Sequence, residues 1–149
     1  METTVITPLG PVTISATAKA VTGLCFDQGK SRDQIPLLAE ATEQLNQWFA
    51  GQRSEFNLPV DLKGTPFQLR VWQQLLKIPR GETRSYGQVA AAIGSPGAAR
   101  AVGQACGANP LAIIVPCHRV VGAGGGLTGF AGGLELKTKL LAADRGELL

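Results

Sequence analysis

The hydrophobic pattern changes period once, near residue 30, and that change limits the folds open to the chain. Before it, Thr3 to Ile6 and Val12-Thr13-Ile14-Ser15-Ala16 alternate apolar and polar residues around Pro8-Leu9-Gly10-Pro11. Alternation puts every second side chain on one face of a strand, and the Pro/Gly cluster supplies the reversal, so the pattern predicts a β-hairpin. Val21 to Phe26 reads as a third strand. After the change, Leu38, Ala41, Leu45, Trp48 and Phe49 recur at helical spacing between Ile35 and Ala50, with Gly51 as the stop. Phe56 to Gly64 reads as a linker with a short extended piece.

The rest of the chain reads as mainly helical. Thr65-Pro66 opens a helix, with Thr at the N-cap and Pro in the first turn, and Phe67, Val71, Leu75 and Ile78 then share a face. Ser85 caps a second helix from Tyr86 to Ile93, closed by Gly94. A third runs from Ala98 to Gly107 after the turn Ser95-Pro96-Gly97, and a last one from Leu134 to Ala143 after a glycine-rich loop. The expected fold is therefore mixed α/β, of the α+β kind. A small antiparallel sheet plus helix forms an N-terminal domain (residues 1–60). A mainly helical C-terminal domain (residues 61–149) contains a helix-turn-helix.

The helix from Ala98 to Gly107 is a poor reader of base sequence. It offers only Arg100 and Gln104 as long polar side chains, whereas major-groove readout needs several groups that hydrogen-bond to base edges. Its smooth surface suits tight packing or sequence-independent approach to the minor groove. This argues against a transcription regulator. The formal net charge of +3 permits nucleic-acid binding without demanding it.

The chain owns a single histidine, and it directly follows a cysteine in Ile114-Val115-Pro116-Cys117-His118-Arg119-Val120. A thiol must lose its proton to attack, and an imidazole is the natural base. If the segment is extended, neighbouring side chains point to opposite faces, so the pair needs a bridging water. Glu135, Asp144 and Glu147 are the acidic candidates to fix the imidazole tautomer, and Asn109 the candidate to brace the turn before Cys117. Cys25 and Cys106 read as packing residues. Three cysteines without metal-like spacing and one histidine supply a zinc site poorly, so neither metal nor cofactor is expected. No signal peptide and no apolar stretch long enough to span a bilayer is read, which points to a cytoplasmic protein with reduced thiols.

The segment SYGQVAAAIGSPGAARAVGQACGANPLAIIVPCHRV, residues 85–120, resembles the O6-alkylguanine-DNA alkyltransferases (methylated-DNA–protein-cysteine methyltransferases). The likeness extends through LPVDLKGTPFQLRVWQQLLKIPRGET and LTGFAGGLELKTKLLAADRG, about the last 90 residues, and is carried most specifically by the Pro-Cys-His-Arg-Val motif. It implies a stoichiometric repair reaction, in which Cys117 takes the alkyl group from O6 of guanine, and by extension from O4 of thymine, and keeps it. His118 is then the water-mediated base, and Asn109 supports the turn. Arg100 fills the gap left by a flipped nucleotide. Tyr86 crowds the 3′ phosphate and donates toward guanine N3. Ala99, Ala101 and Gln104 complete the DNA face, and Val120, Phe130 and Ala131 line the base pocket. The partner implied is duplex DNA carrying O6-alkylguanine, gripped from the minor groove by a monomer.

Two departures stand out. Asp144 occupies the place of the family's histidine-orienting glutamate and is one methylene shorter, which shortens its reach toward His118. Phe130 and Ala131 stand where the family often has tyrosine and serine. A non-catalytic alkyltransferase-like relative would lack the cysteine. A cysteine hydrolase would turn over, whereas a thioether has no easy hydrolytic exit.

Overall fold

The computed structural model describes residues 1–125 and 133–147. Its order is β1 (Glu2–Thr7), β2 (Gly10–Ala16), β3 (Val21–Cys25), α1 (Pro36–Phe49), α2 (Pro66–Leu75), β4 (Arg84–Ser85), α3 (Tyr86–Ala92), α4 (Ala99–Gly107), β5 (Val120–Val121) and α5 (Leu134–Asp144). The first three strands form an antiparallel sheet in that order, with Thr4 opposite Thr13 and Ile14 opposite Leu24. The expected α+β architecture is present, and the hairpin and the first helix fall where the pattern puts them.

Two helix starts show why these elements begin where they do. The Thr65 hydroxyl accepts from the Gln68 N–H at 3.1 Å while the Gln68 side chain accepts from the Thr65 N–H at 2.9 Å. Ser85 and Gln88 repeat the arrangement at 3.0 and 2.8 Å. Each reciprocal pair satisfies two otherwise orphaned donors. α3 stops at Gly94, whose φ of +81° is one that glycine adopts without strain.

One apolar core runs through the described residues. Val12, Ile14 and Leu24 of the sheet meet Leu38, Ala41, Leu45 and Trp48 of α1, and the cluster continues without a break into Val71, Trp72, Leu75, Val89, Val102, Leu111 and Leu140. Fully burying each such side chain is worth roughly 1.5–3 kcal/mol, so both ends of the chain stabilise each other. The free edge of β3 is stitched to later segments. Val21 N–H donates to the Pro59 carbonyl (2.8 Å), Asp61 N–H to the Val21 carbonyl (3.0 Å) and Leu24 N–H to the Pro110 carbonyl (2.9 Å).

Three local expectations are corrected. α2 ends at Leu75, short of Ile78, because Pro79 disfavours helical backbone just before it; Ile78 stays buried all the same. Cys25 is exposed at the end of β3 and does not pack, while Cys106 is buried as expected. The segment leading to Cys117 is not extended, because Leu111 to Val115 folds as a turn.

Candidate active site

Asn109 organises the turn before Cys117. Its side-chain carbonyl accepts from Leu111 N–H at 2.9 Å and its amide donates to the Val115 carbonyl at 2.8 Å. Val115 N–H closes onto the Leu111 carbonyl at 2.8 Å. Inside the loop, Ile113 sits at φ 71°, a left-handed conformation that costs a β-branched residue roughly 1–3 kcal/mol. Burial of every residue from Ile113 to Val120 holds it there. Cys117-His118-Arg119 then forms one turn of 3₁₀-helix. At three residues per turn, neighbouring side chains diverge by roughly 120°, so Cys117 and His118 are not on the opposite faces that an extended chain would give them.

His118 is fully buried, and its Nε2 lies 2.9 Å from Asp144 Oδ2. The shorter acidic side chain therefore reaches the imidazole, and among Glu135, Asp144 and Glu147 it is the one that does. Glu135 faces Lys139 and Glu147 faces Arg145 instead. Arg119 grips the same carboxylate through two bonds, Nε to Oδ2 at 2.7 Å and Nη2 to Oδ1 at 2.8 Å. Burial pushes the Asp144 carboxyl up, but hydrogen bonds from Arg119 and His118 outweigh it and bring its pKa down to about 2. An ionised carboxylate only accepts, so Nε2 carries the proton and Nδ1 keeps its lone pair. Burial also holds the His118 pKa below its ordinary value, opposed by Asp144, so the ring is neutral at neutral pH. Among the described residues, Nδ1 has no protein hydrogen-bond partner. The result is a buried, neutral imidazole whose Nδ1 lone pair is not used by another protein group among the described residues.

Cys117 is 6% exposed. Burial pushes its thiol pKa up, while the Asn109 side chain, the Lys137 ammonium and the backbone N–H groups of Cys117 and His118 pull it down. Lys137 escaped the sequence reading, as did Arg119. Lys137 is wholly buried, donates to the Val120 carbonyl at 2.6 Å and to the Tyr86 hydroxyl at 3.5 Å, and stands 5.7 Å from the Tyr86 ring centre. A signal for it existed: Lys137, Leu140 and Asp144 follow a helical i, i+3, i+7 spacing on one face.

The other predicted residues distribute as follows. Tyr86 opens α3, half-buried, with its ring beside Gly103 of α4. Arg100 and Gln104 are exposed on α4, Ala99 and Ala101 on either side of Arg100 are half-buried, and Val102, Ala105 and Cys106 face the core. The helix thus presents two long polar side chains on a smooth outer surface. Val120 is buried and starts β5, which pairs with β4 in parallel, Arg84 beside Val120. Phe130 and Ala131 lie outside the described residues. Among the described residues, no group of His, Cys, Asp and Glu is placed to hold a metal ion, and no helix is long and apolar enough to cross a membrane.

Residues 66–146 match the family model of the 6-O-methylguanine DNA methyltransferase DNA-binding domain, and residues 1–62 that of the same proteins' ribonuclease-like domain. The chain belongs to the 6-O-methylguanine DNA methyltransferase family. The methylated-DNA–protein-cysteine methyltransferase of Mycobacterium tuberculosis (strain H37Rv) is 48% identical, over 95% of this chain and 90% of that one. The constitutive enzyme of that name from Bacillus subtilis is also 48% identical, over 96% and 94%. The crystal structure of Mycobacterium tuberculosis OGT in complex with DNA superposes with a TM-score of 0.90 at 49% identity, covering 99% of this chain and 94% of that one.

Proposed function

We propose that the protein repairs alkylated DNA by moving the alkyl group from O6 of guanine to its own Cys117, once per molecule. The observation that carries this reading is the Cys117 thiol held next to a buried, neutral His118 whose other nitrogen is committed to Asp144. In the reaction, the thiol proton passes to His118 Nδ1 through one water. The sulfur lone pair attacks the alkyl carbon, an S–C bond forms, and the C–O6 bond breaks. The electron pair released into the purine is met by a proton at N3, donated by the Tyr86 hydroxyl, so that guanine leaves neutral. Lys137 beside Tyr86 adds positive charge where negative charge develops. Asn109 holds the turn, and Val120 is the described residue assigned to the base pocket.

To reach a base in duplex DNA, the protein must extrude it. Arg100 replaces the extruded nucleotide in the stack, while Ala99, Ala101 and Gln104 follow the minor groove without reading sequence. Residues 61–149 carry this chemistry and the DNA contact, and residues 1–60 form the sheet-and-helix unit packed against them. We place the protein in the cytoplasm as a monomer, in keeping with its free thiols.

Mass spectrometry after incubation with a duplex containing O6-methylguanine tests the reading. A gain of one methyl group on the Cys117 peptide, in one-to-one stoichiometry and absent from Cys117→Ser, is the expected result. Catalytic turnover, or methyl transfer by the serine variant at the wild-type rate, would overturn it.

A further inference from the structure

Arg80 lies outside the reacting groups, yet it touches both halves of the structure at the back of the site. Its guanidinium donates to the Trp48 carbonyl at 3.0 Å and the Arg53 carbonyl at 2.7 Å, at and just past the end of α1. It donates also to the carbonyls of Ala143 and Asp144, at the end of α5. Those of Trp48, Ala143 and Asp144 are carbonyls of the kind a helix C-terminus leaves without α-helical partners, and a cation there also meets the negative end of each helix dipole. The guanidinium stacks on the Trp48 ring at 4.5 Å. Trp48, wholly buried, packs edge-on against His118 with ring centres 6.3 Å apart. His118 bonds to Asp144, and Asp144 returns to Arg80 through its backbone. The four residues make a closed ring of contacts.

We propose that Arg80 is a positioning residue for the repair reaction, locking Trp48 and the end of α5 so that Asp144 and His118 hold their alignment. The proposal rests on the methyl-transfer reading above. It gives the N-terminal part a stake in the chemistry, because one wall of the imidazole's cage, Trp48, comes from α1. A planar fork with five donors can span three carbonyls on two helices and a fourth in the loop after α1, whereas a lysine ammonium cannot. Small misalignments remote from a reacting centre can lower rates by about two orders of magnitude.

The single histidine makes the test direct, because the imidazole NMR signals of the full-length protein belong to His118 alone. Arg80→Met and Arg80→Lys are compared with wild type and with Thr65→Ala, which removes the α2 cap and destabilises the fold away from the site. Single-turnover transfer is measured on a methylated duplex and on a free O6-alkylguanine base. Expected are a displaced His118 Nε2–H signal and a loss of roughly tenfold or more in rate for both Arg80 variants. The loss should be equal on the two substrates, with neither effect in Thr65→Ala. If Arg80→Met does not fold, Arg80→Lys carries the test. A wild-type rate and signal in either folded variant would overturn the proposal, as would a rate loss with an unmoved His118 signal, or an equal shift in Thr65→Ala. Failure of wild type to take up methyl would sink the repair reading instead, while the His118 signal would still report on Arg80.

Discussion

The Asp144 carboxylate is shared between a permanent cation and a titratable ring, and its two oxygens serve them unequally. Arg119 uses both oxygens and His118 only one. Asp144→Asn would leave Arg119 buried against a neutral amide, and breaking a buried charge pair in this way costs about 3–5 kcal/mol. Chemical denaturation of the variant should show a loss of that size, and its transfer rate should fall toward that of His118→Ala. The pH dependence has a definite sign. Both groups have folded pKa values below their ordinary ones, so the stability they contribute is present at neutral pH and lost on acidification. For His118 the loss begins as pH falls below the ordinary value of 6.5, and for Asp144 it runs from about pH 4 to its folded pKa of about 2. The Asp144 share is about 2 kcal/mol. Thermal melts should show the midpoint dropping below pH 6.5 in wild type, and His118→Gln should lack the first part of that drop. The acidic limb of the transfer rate should likewise lie below 6.5, because His118 must be neutral to accept a proton.

At the scale of elements, the turn from Asn109 to Val115 and helix α4 have separable tasks. Asn109→Ala removes two hydrogen bonds that close the turn and leaves the Leu111 N–H and Val115 carbonyl to find other partners, a cost of about 1–3 kcal/mol. Because the same turn presents the thiol, this variant should transfer more slowly to a free base as well as to DNA. Arg100→Ala should instead impair repair of a duplex far more than reaction with a free base, since only the duplex requires extrusion. Parallel single-turnover assays on the two substrates check both, and equal losses for Arg100→Ala would remove its assignment as the stacking replacement. The helix caps were legible in the sequence because Thr65-Pro66 and Ser85 act over three residues. So was Asn109, whose amide bonds lie within six residues. The turn itself was not: five consecutive apolar residues have no period to distinguish a strand from a buried loop. Lys137 and Arg119 escaped because their partners, the Val120 and Ile78 carbonyls and Asp144, are backbone groups or distant in the chain.

Over the whole molecule, charge and core are arranged on different plans. Residues 61–149 hold ten of the fourteen Lys and Arg but only five of the eleven Asp and Glu, so the positive field belongs to the half that carries α4. Affinity for undamaged duplex should fall roughly 10²-fold over a fourfold rise in salt if about four phosphates are contacted. Measured binding isotherms at several salt concentrations give that slope, and a flat response would contradict backbone-dominated binding. The core ignores the division, running from Val5 to Ala143. Calorimetry should therefore record a single unfolding transition, with calorimetric and van't Hoff enthalpies equal.

The stitching of β3 also has a meaning in time. During synthesis the sheet emerges first, but one of its edge partners, Leu111, lies 86 residues beyond Cys25. At ribosomal rates of about 5–20 residues per second, the nascent chain carries the Leu24 end of that edge uncovered for roughly 4–17 s. An open strand edge invites pairing with any other chain nearby, so the hazard is greatest while several ribosomes share one message. The segment that ends the exposure is also the one that leads into Cys117.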